Sequence, residues 1–559
     1  MKDYCWFKEY PEGVPQEIDP NEFGSLVEIL ERSFKEYAQK PAFYNLKTTM
    51  SFAQIDEQSK KFASYLQNNL GLKKGDRLAL MMPNILQYPI ALFGALRAGV
   101  VVVNVNPLYT SRELEHQLND SGAKAIVIYA NSAHTLEACI HNTHVKHVIV
   151  TEIAELAKFP LNHVINFTLK HVKKMVPSWN IPLAISFKQA LMMGDDDKYE
   201  RPHIGHDDIA FLQYTGGTTG VSKGAVLTHG NIVCNMLQAK AWLGPLLEEH
   251  GEDALSEEII ITPLPLYHIF SLTANCFIFF AIGALNVLIT NPRDTERFIG
   301  EMKKFKFTAF TGVNTLFNSL VNHENFKECD FSRLRATLGG GMAVQKAVAE
   351  KWKEVTGRPL IEAYGLTETS PAACVNPISL DNYNGKIGLP IPSTVVEIRD
   401  DQGKELEVGE VGEICIKGPQ VMQGYWNRPE ETAKVMTPDG FLKTGDMGFM
   451  DEKGYFQIVD RKKDMILVSG FNVYPNEIED VIATHPKVFE CAAIGIPDEK
   501  SGEVVKLFVV KKEEDLTDQE LFNFSKENLT GYKRPKYIEF RKDLPKSNVG
   551  KILRKDLRE

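Results

Sequence analysis

The stretch Tyr214-Thr-Gly-Gly-Thr-Thr-Gly-Val-Ser-Lys-Gly224 gathers glycines, hydroxyls and one lysine between two apolar, strand-like runs. Gly216, Gly217 and Gly220 allow turns that aim successive N–H groups at one anion, and they carry no side chain that would block its approach. Lys223 adds a mobile positive charge. The hydroxyl donors of the stretch are Thr215, Thr218, Thr219 and Ser222. The stretch predicts a phosphate-binding loop, with an ordinary Gly/Thr hairpin loop as the alternative.

The residues after the lysine disfavour a Walker-type fold. A P-loop has the pattern G-x-x-x-x-G-K-[ST] and opens a helix. Here Lys223 is followed by Gly224 and then by Ala225-Val-Leu227, which is typical of a second strand. The loop therefore belongs to a different class of phosphate-binding protein.

Seven further motifs follow in a fixed order along the chain. They are Leu264-Pro-Leu-Tyr-His-Ile-Phe270, Thr337-Leu-Gly-Gly-Gly341, Glu362-Ala-Tyr-Gly-Leu-Thr-Glu368, Lys443-Thr-Gly-Asp446, Ile458-Val-Asp-Arg-Lys-Lys-Asp464, Gly470-Phe-Asn-Val-Tyr-Pro475 and Pro545-Lys-Ser-Asn-Val-Gly-Lys551. Together with the loop, they resemble the adenylate-forming superfamily of acyl-CoA synthetases, luciferases and peptide synthetase adenylation domains. The resemblance is closest to bacterial long-chain fatty acid CoA ligases.

Composition agrees with a large globular enzyme. The 559 residues exceed one ordinary core, and 43% are hydrophobic and 24% charged. The eight cysteines are scattered without a C-x-x-C pair, which favours a reducing cytoplasm. The N-terminus has no apolar core region, so a secretory signal is not expected. A net charge of −10 argues against nucleic acid as a general partner.

One run without Asp, Glu, Lys or Arg extends from Ile259 to Pro292 and is long enough to cross a bilayer. Pro263 and Pro265 interrupt its start, and no basic cluster flanks it closely. We therefore expect a buried helix followed by a buried strand at residues 285–290. Such a wall could line a pocket for an alkyl chain.

Each of two basic regions of the sequence is consistent with two functions. Residues 169–176 alternate apolar and cationic side chains, which suits either peripheral contact with an anionic inner membrane or a solvated helix face. Residues 531–558 hold ten Lys or Arg and three acids. That excess suits the phosphates of CoA or ATP, or a plain solvated surface.

The fold class predicted from the alternation of apolar runs and helical stretches is α/β. We expect an N-terminal domain at residues 1–460, with stacked α/β subdomains and a small β-rich subdomain at about 385–460. A small mobile α+β domain is expected at residues 461–559. The resemblance implies that Lys463 is the hinge between them.

The resemblance implies a two-step reaction. A fatty carboxylate attacks the α-phosphate of ATP, which expels pyrophosphate, and the thiol of coenzyme A then attacks the acyl-AMP and releases AMP. The first step brings an anion to a polyanion, so the site must supply positive charge and fixed N–H donors. ATP, Mg²⁺ and CoA are therefore the expected cofactor and cosubstrates.

The resemblance also assigns roles to residues at both ends of the chain. The loop with Lys223 would hold the β- and γ-phosphates, Glu368 would hold Mg²⁺, and Thr367 would contact the α-phosphate. Lys551 would bridge the carboxylate and the α-phosphate as a charged ammonium. Outside its motif, Lys551 would be interpreted as a solvated lysine, and Thr367-Glu368 as a helix N-terminus.

The nucleotide base and ribose are assigned to a second group. Tyr364 should stack on adenine beside Gly339, Gly340 and Gly341, while Asp446 accepts the ribose hydroxyls with support from Arg461. The remaining cofactor-binding candidates from the motifs are Tyr214, Glu362, Gly365 and Ile458.

The acyl group and pantetheine are assigned to a third group. His268 could contact the reacting carboxylate, although a lone histidine is more often a hydrogen-bonded core residue. Val313 and Asn314 belong to a segment that resembles the acyl pocket of fatty acid ligases. Gly470 would leave room for the slim pantetheine arm.

Two other functions remain open. The chain could pass its acyl group to a carrier protein or to oxygen chemistry instead of CoA. It could also be a catalytically inactive protein that binds fatty acid or nucleotide. A homodimer would be consistent with the family resemblance, and chain-length preference depends on packing that the sequence does not specify.

Overall fold

The computed structural model describes residues 4–182, 184–215, 222–248, 258–498, 500–547 and 549–558. The predicted centre of the phosphate loop, Gly216, Gly217, Thr218, Thr219 and Gly220, lies outside the described residues. The described residues form the expected α/β fold, with large sheets in the N-terminal part and a smaller sheet near the C-terminus.

Two large sheets make up most of the N-terminal part. The first, in spatial order of its described strands, comprises Leu389–Pro390, Ala372–Val375, Ile361–Gly365, Ala336–Gly339, Ala309–Gly312, Ile259–Thr262, Leu285–Leu288, Pro41–Asn45 and Thr48–Ser51. The second comprises Gly424–Tyr425, Lys223–Thr228, Ile209–Thr215, Val101–Asn104, Arg77–Met81, Ala125–Tyr129, His147–Thr151 and Ile185–Ser186. Most neighbouring strands in both sheets run parallel.

Two smaller sheets follow in the chain. One is antiparallel and comprises Val395–Arg399, Gly412–Lys417, Leu442–Met450 and Phe456–Arg461. The other comprises Phe471–Val473, Ile466–Val468, Gly502–Lys511 and Val488–Asp498, with Tyr537–Arg541 paired to Gly502–Lys511. The first sheet lies in the region predicted to be β-rich. The boundary at residue 460 and the hinge at Lys463 stay predictions; Lys463 lies in the turn between Arg461 and Ile466.

Helices cover both large sheets and fill the space between them. The α-helices are Leu26–Glu36, Phe52–Ser64, Gln87–Arg97, Ser111–Ser121, Ala133–Glu137, Leu161–Phe167, Phe187–Met193, His229–Glu248, Ile269–Ser271, Ile278–Ala281, Thr295–Met302, Asn314–Val321, Lys346–Thr356, Pro429–Val435, Pro475–Ala483 and Asp518–Asn528. The π-helical turns are Tyr65–Asn69, Thr168–Val172 and Leu272–Phe277. The short 3₁₀ turns are Cys5–Glu9, Ala130–Ser132, Ile140–Asn142, Asp196–Lys198, Glu324–Glu328, Thr367–Thr369, Gly531–Lys533 and Arg554–Leu557.

The main core lies between the two large sheets and is shared by both. Helix Gln87–Arg97 is buried along its whole length, which is why its sequence is apolar on all sides. Gly94 allows this helix to approach Phe52–Ser64 closely, because a Cβ at Gly94 would lie 2.9 Å from the Ser59 carbonyl oxygen. The buried Arg97 at the helix end forms an ion pair with Asp56.

The charge-free run from Ile259 to Pro292 was expected to form a helix and then a strand, and it differs from this expectation at its start. It begins with strand Ile259–Thr262, which the sequence pattern did not indicate, and continues through helical turns at residues 269–281 to strand Leu285–Leu288. The prolines that come after the first strand end it before the helical turns begin. None of the helices in the described part of the chain is long and apolar enough to cross a bilayer.

Strand direction brings the sequence motifs together. The strands Ile259–Thr262, Ala309–Gly312, Ala336–Gly339 and Ile361–Gly365 are parallel neighbours. Their carboxyl ends therefore meet at one edge of the sheet, where ligands of such sheets usually bind. His268, Val313, Gly340 and Thr367 all follow one of these strand ends.

Candidate active site

A cavity of about 1820 Å³ lies at this edge, between the large sheets and the C-terminal residues. Most of the predicted site residues line it: Tyr214, Thr215, Lys223, His268, Val313, Asn314, Gly340, Gly341, Glu362, Tyr364, Gly365, Thr367, Glu368, Asp446, Ile458, Arg461, Lys463 and Lys551. The cavity therefore brings together residues that are far apart in the chain.

Two predicted residues within the described ranges lie elsewhere. Gly339 lies inside the sheet, paired with Gly312 and Glu362, and a Cβ there would lie 2.6 Å from Leu360. Its glycine is explained by packing in the core. Gly470 lies in the exposed hairpin between Ile466–Val468 and Phe471–Val473, with a φ of +86°.

The predicted ribose site is a hydrogen-bonded group around Asp446. Strand pairing sets Asp446 opposite Arg461, and the Arg461 Nε lies 3.3 Å from Asp446 Oδ1. The Tyr364 hydroxyl donates to Asp446 Oδ2 at 2.7 Å. Burial and the nearby Asp446 raise the pKa of Tyr364. Asp446 is thus a buried carboxylate held in place by two neighbours at the cavity wall.

Glu362 is a buried carboxyl at the same edge. Its Oε1 accepts a hydrogen bond from the Val344 N–H at 3.1 Å. Burial raises its pKa to about 8, and the negative charge of Asp480 adds to the shift. Because Glu362 is mostly protonated at pH 7, it can donate a hydrogen bond as well as accept one.

The predicted phosphate side of the cavity is built on the strand Lys223–Thr228. The Lys223 ammonium forms an ion pair with Glu431 and lies 5.0 Å from the centre of the Tyr425 ring. The Tyr214 hydroxyl donates to Asp120 Oδ2 at 2.7 Å, and Ser222 Oγ donates to the Thr215 carbonyl at 2.6 Å. Both side chains therefore hold the ends of the loop.

Thr367 and Glu368 lie on a 3₁₀ turn after the strand Ile361–Gly365. The Tyr425 hydroxyl donates to Glu368 Oε1 at 2.6 Å, and the Met422 N–H donates to the Glu368 carbonyl at 2.8 Å. Within the described ranges, no group of three or more His, Cys, Asp or Glu is arranged around a metal position. A single carboxylate suits Mg²⁺, which is usually held by one or two carboxylates together with substrate phosphates.

Tyr425 and Glu431 were not found from the sequence. Their contacts with Glu368 and Lys223 span 57 and 208 positions. No local pattern connects a tyrosine or a glutamate to partners so distant in the chain. The antiparallel pairing of Gly424–Tyr425 with Lys223–Thr228 is what brings them together.

The predicted reacting position lies between His268 and Lys551. His268 Nδ1 accepts from the Phe270 N–H at 3.4 Å, so the neutral ring carries its proton on Nε2. Burial and the charge of Lys551 lower the pKa of His268 to about 4. His268 is therefore a neutral hydrogen-bond donor at pH 7, not a cation.

Lys551 enters the cavity from the C-terminal part of the chain. Burial lowers its pKa to about 8, the cations Arg461, Arg554 and Lys463 add to the shift, and Asp446 opposes it. The residue before it is docked on helix Asn314–Val321, because the Thr315 hydroxyl donates to the carbonyl of Gly550 at 2.8 Å. A second contact on the same helix is the hydrogen bond from the Asn318 side chain to the Phe489 carbonyl, at 2.8 Å.

Uncharged residues of two helical segments line part of the cavity, which we call its apolar arm. Asn235, Ala239, Trp242 and Leu243 line one wall at helical spacing on His229–Glu248. The opposite wall is lined by Phe270, Thr273, Ala274, Ile278 and Phe279. From residue 235 to residue 243 a helix rises about 12 Å. None of these lining residues is charged, so the arm suits an alkyl chain.

The comparison with known proteins agrees with this arrangement. A family model described as AMP-binding enzyme matches residues 30–426, and the model of the C-terminal domain of AMP-binding enzymes matches residues 477–551. The chain belongs to the AMP-binding enzyme family. The adenylate-forming resemblance predicted from the motifs is thereby confirmed.

Relatives and a solved structure of this family match almost the whole chain. It is 57% identical to a long-chain-fatty-acid–CoA ligase of Yersinia pestis, covering 99% of this chain and 97% of that protein. The corresponding Salmonella typhimurium ligase is 56% identical, over 99% and 98%. An anthranilate CoA ligase in complex with anthranoyl-AMP matches with a TM-score of 0.83 and 25% identity, over 97% and 98%.

Gly550→Ala should slow the adenylation step of this AMP-binding enzyme by about tenfold or more. Gly550 has a φ of +82°, and an added Cβ would lie 2.7 Å from Thr315 Oγ1. The strain of about 1–2 kcal/mol would shift Lys551 out of position. Fatty-acid-dependent exchange of pyrophosphate into ATP would measure the effect. Gly531→Ala is the control, because a Cβ there meets nothing within 4 Å. Equal losses of exchange activity in both variants would contradict the assignment of Gly550 as the residue that lets Lys551 reach its position.

Proposed function

We propose that the protein activates medium- and long-chain fatty acids to fatty acyl-CoA through an acyl-AMP intermediate, releasing pyrophosphate and AMP. The observation that carries the proposal is one cavity whose lining includes the polar residues Lys223, Glu368 and Asp446, the uncharged apolar arm, and both Lys551 and His268. The 57% identity to a long-chain-fatty-acid–CoA ligase supports the same reaction.

In the first step, the chain's own residues orient two anions towards each other. Asp446 accepts hydrogen bonds from the ribose hydroxyls, and Lys223 and the loop before it bind the β- and γ-phosphates. The fatty carboxylate lies near His268 Nε2–H and the Lys551 ammonium, which offset the charge that builds up during attack on the α-phosphate. Glu368 would hold Mg²⁺, which neutralises phosphate charge when bound.

The second step needs room where Lys551 was. We infer that the C-terminal domain turns about Lys463, so that Lys551 leaves and the thiol of CoA reaches the acyl-AMP. The exposed hairpin with Gly470 would then face the entrance and admit pantetheine. Residues 531–558, which carry an excess of Lys and Arg, would supply cations for the CoA phosphates. Dimerisation stays a prediction from the family resemblance.

The test of this function is AMP release by the purified protein with ATP, Mg²⁺ and fatty acids of graded length, each with and without CoA. We expect AMP formation that requires both acid and CoA and that rises with chain length as the apolar arm fills. Pyrophosphate exchange without thioester formation would indicate a carrier protein or another acyl acceptor. Absence of AMP with every acid would indicate a binding protein.

Lys551→Ala should slow acyl-AMP formation by about 100- to 1,000-fold and leave thioester formation from supplied acyl-AMP nearly unchanged. In the wild type, kcat/KM for adenylation should fall as the pH rises through about 8, because the ammonium loses its charge there. The variant should lack this alkaline decline. Equal losses in both half-reactions would rule out the proposed role of Lys551.

We further propose that the exposed side chains within residues 156–194 rest on an anionic membrane surface. This stretch contains five lysines and no Asp or Glu, in a chain of net charge −10. Helix Leu161–Phe167 and the π-helical turn Thr168–Val172 have no buried residue. The exposed large apolar side chains of this stretch are Phe159, Val164, Phe167, Val172, Met175, Met192 and Met193. Apolar side chains interspersed with cations suit anionic lipid headgroups.

Replacing Lys170, Lys173 and Lys174 by Gln should weaken binding to vesicles that contain phosphatidylglycerol by about tenfold or more, at about 1 kcal/mol for each lysine. Co-sedimentation at low and high salt would measure it. Val408→Ser, at another exposed apolar residue, is the control. Equal binding of the triple variant and the wild type, or equal binding to neutral vesicles, would contradict the membrane assignment.

A further inference from the structure

The Lys223 ammonium has a partner that competes with phosphate. It forms an ion pair with Glu431 Oε2, and Glu431 Oε1 forms a second ion pair with Lys434. The hydrogen bonds to these two lysines lower the pKa of Glu431 to about 2. One carboxylate thus holds two cations, and one of them is the lysine assigned to the triphosphate.

The position of Glu431 is fixed by backbone contacts between the segment before its helix and the strand Lys223–Thr228. Gly424 and Tyr425 pair with Val226 and Ala225, and the Trp426 N–H donates to the Gly224 carbonyl at 2.8 Å. Helix Pro429–Val435 begins three residues later, and the Tyr425 N–H donates to Thr432 Oγ1 at 2.9 Å. Glu431 is therefore part of the wall beside Lys223.

A phosphate and the Glu431 carboxylate cannot both form a full ion pair with the Lys223 ammonium at the same time. A lysine ammonium is a compact point charge, and two anions drawn to it repel each other. When a triphosphate forms an ion pair with Lys223, the Glu431 carboxylate would be left close to the negative charge of the phosphates. Lys434 lowers the cost of this exchange, because Glu431 keeps one cation after Lys223 has moved.

Tyr425 connects this exchange to the candidate Mg²⁺ ligand. The Lys223 ammonium lies over the Tyr425 ring, while the hydroxyl of the same ring donates to Glu368. Both charged groups assigned to ATP are thus held by one wall formed by Tyr425 and Glu431. Of these two groups, Lys223 has to exchange a protein partner for a substrate partner.

We propose that Glu431 is a positioning residue that holds Lys223 beside Tyr425 until a triphosphate displaces it, and that Lys434 sets how readily this exchange occurs. The inference rests on the proposed function only in assigning the phosphates of ATP to Lys223. It concerns ATP binding alone, so it can be tested without fatty acid or CoA.

The test is equilibrium binding of ATP to the full chain by calorimetry. Glu431→Gln should bind ATP about two- to fivefold more tightly, because no ion pair has to be broken; Lys434→Gln should bind it about two- to fivefold more weakly, because Glu431 then keeps Lys223. The KM for ATP should move in the same directions. In the Glu431→Gln background, Lys434→Gln should have little further effect.

Two controls separate this exchange from general charge effects and from misfolding. Glu430→Gln removes the same charge from the neighbouring position, and Glu430 forms no ion pair within the described residues, so its ATP affinity should stay near that of the wild type. Unchanged melting temperatures would show that the variants fold. Weaker or unchanged ATP binding by Glu431→Gln would overturn the proposal. Wild-type AMP formation from fatty acid and CoA reports separately on the proposed function.

Discussion

The guanidinium of Arg554 ties the end of the chain to the end of the four-stranded sheet, and the candidate site depends on it. Arg554 donates to Asn476 Oδ1 at 2.6 Å and to Glu479 Oε2 at 2.8 Å, and its Nη1 lies 3.2 Å from Asp460 Oδ1. A planar fork held at three points has little freedom. Because Lys551 lies only a few residues earlier, this cluster fixes where its ammonium enters the cavity.

The same cluster spans the predicted hinge, so the rotation proposed between the two steps would have to break it. Asp460 precedes Lys463, whereas Glu479, Asp480 and Arg554 follow it. Burial raises the pKa of Asp460 to about 6 and that of Asp480 to about 7. Separating a buried ion pair leaves a costly unpaired charge unless water or a proton reaches it. The proposed rotation about Lys463 would have to hydrate these carboxyls, and the buried arrangement would gain stability relative to the rotated one as they become protonated at lower pH.

Most of the site residues predicted from the sequence motifs line the cavity, including Lys551, which follows no strand end. Parallel strands, which bring their carboxyl ends to one edge, explain why His268 and Gly340 lie together. Gly339 belongs to the same motif as Gly340, yet it packs inside the sheet, so the motif alone does not distinguish a glycine needed for packing from one that faces a ligand. The partners of charged site residues, such as Glu431 beside Lys223, depend on strand register and leave no local spacing in the sequence. The side chains that position the reacting groups therefore became visible only in the folded chain.

The polar and apolar parts of the cavity lining balance opposing energies. Bringing a carboxylate to a triphosphate is repulsive, and in the proposed reaction the cations Lys223 and Lys551 would offset part of this repulsion. The apolar arm adds about 0.8 kcal/mol for each methylene that it buries. Binding energy from this remote, unreactive chain can hold the carboxylate against the α-phosphate, where it would not remain by itself. Trp242 lies on the arm wall, held by its hydrogen bond to the Asn376 carbonyl and by edge contact with Tyr10. A wall held in this way would limit how many methylenes can contribute, so the packing around Trp242 would help to set the chain-length preference.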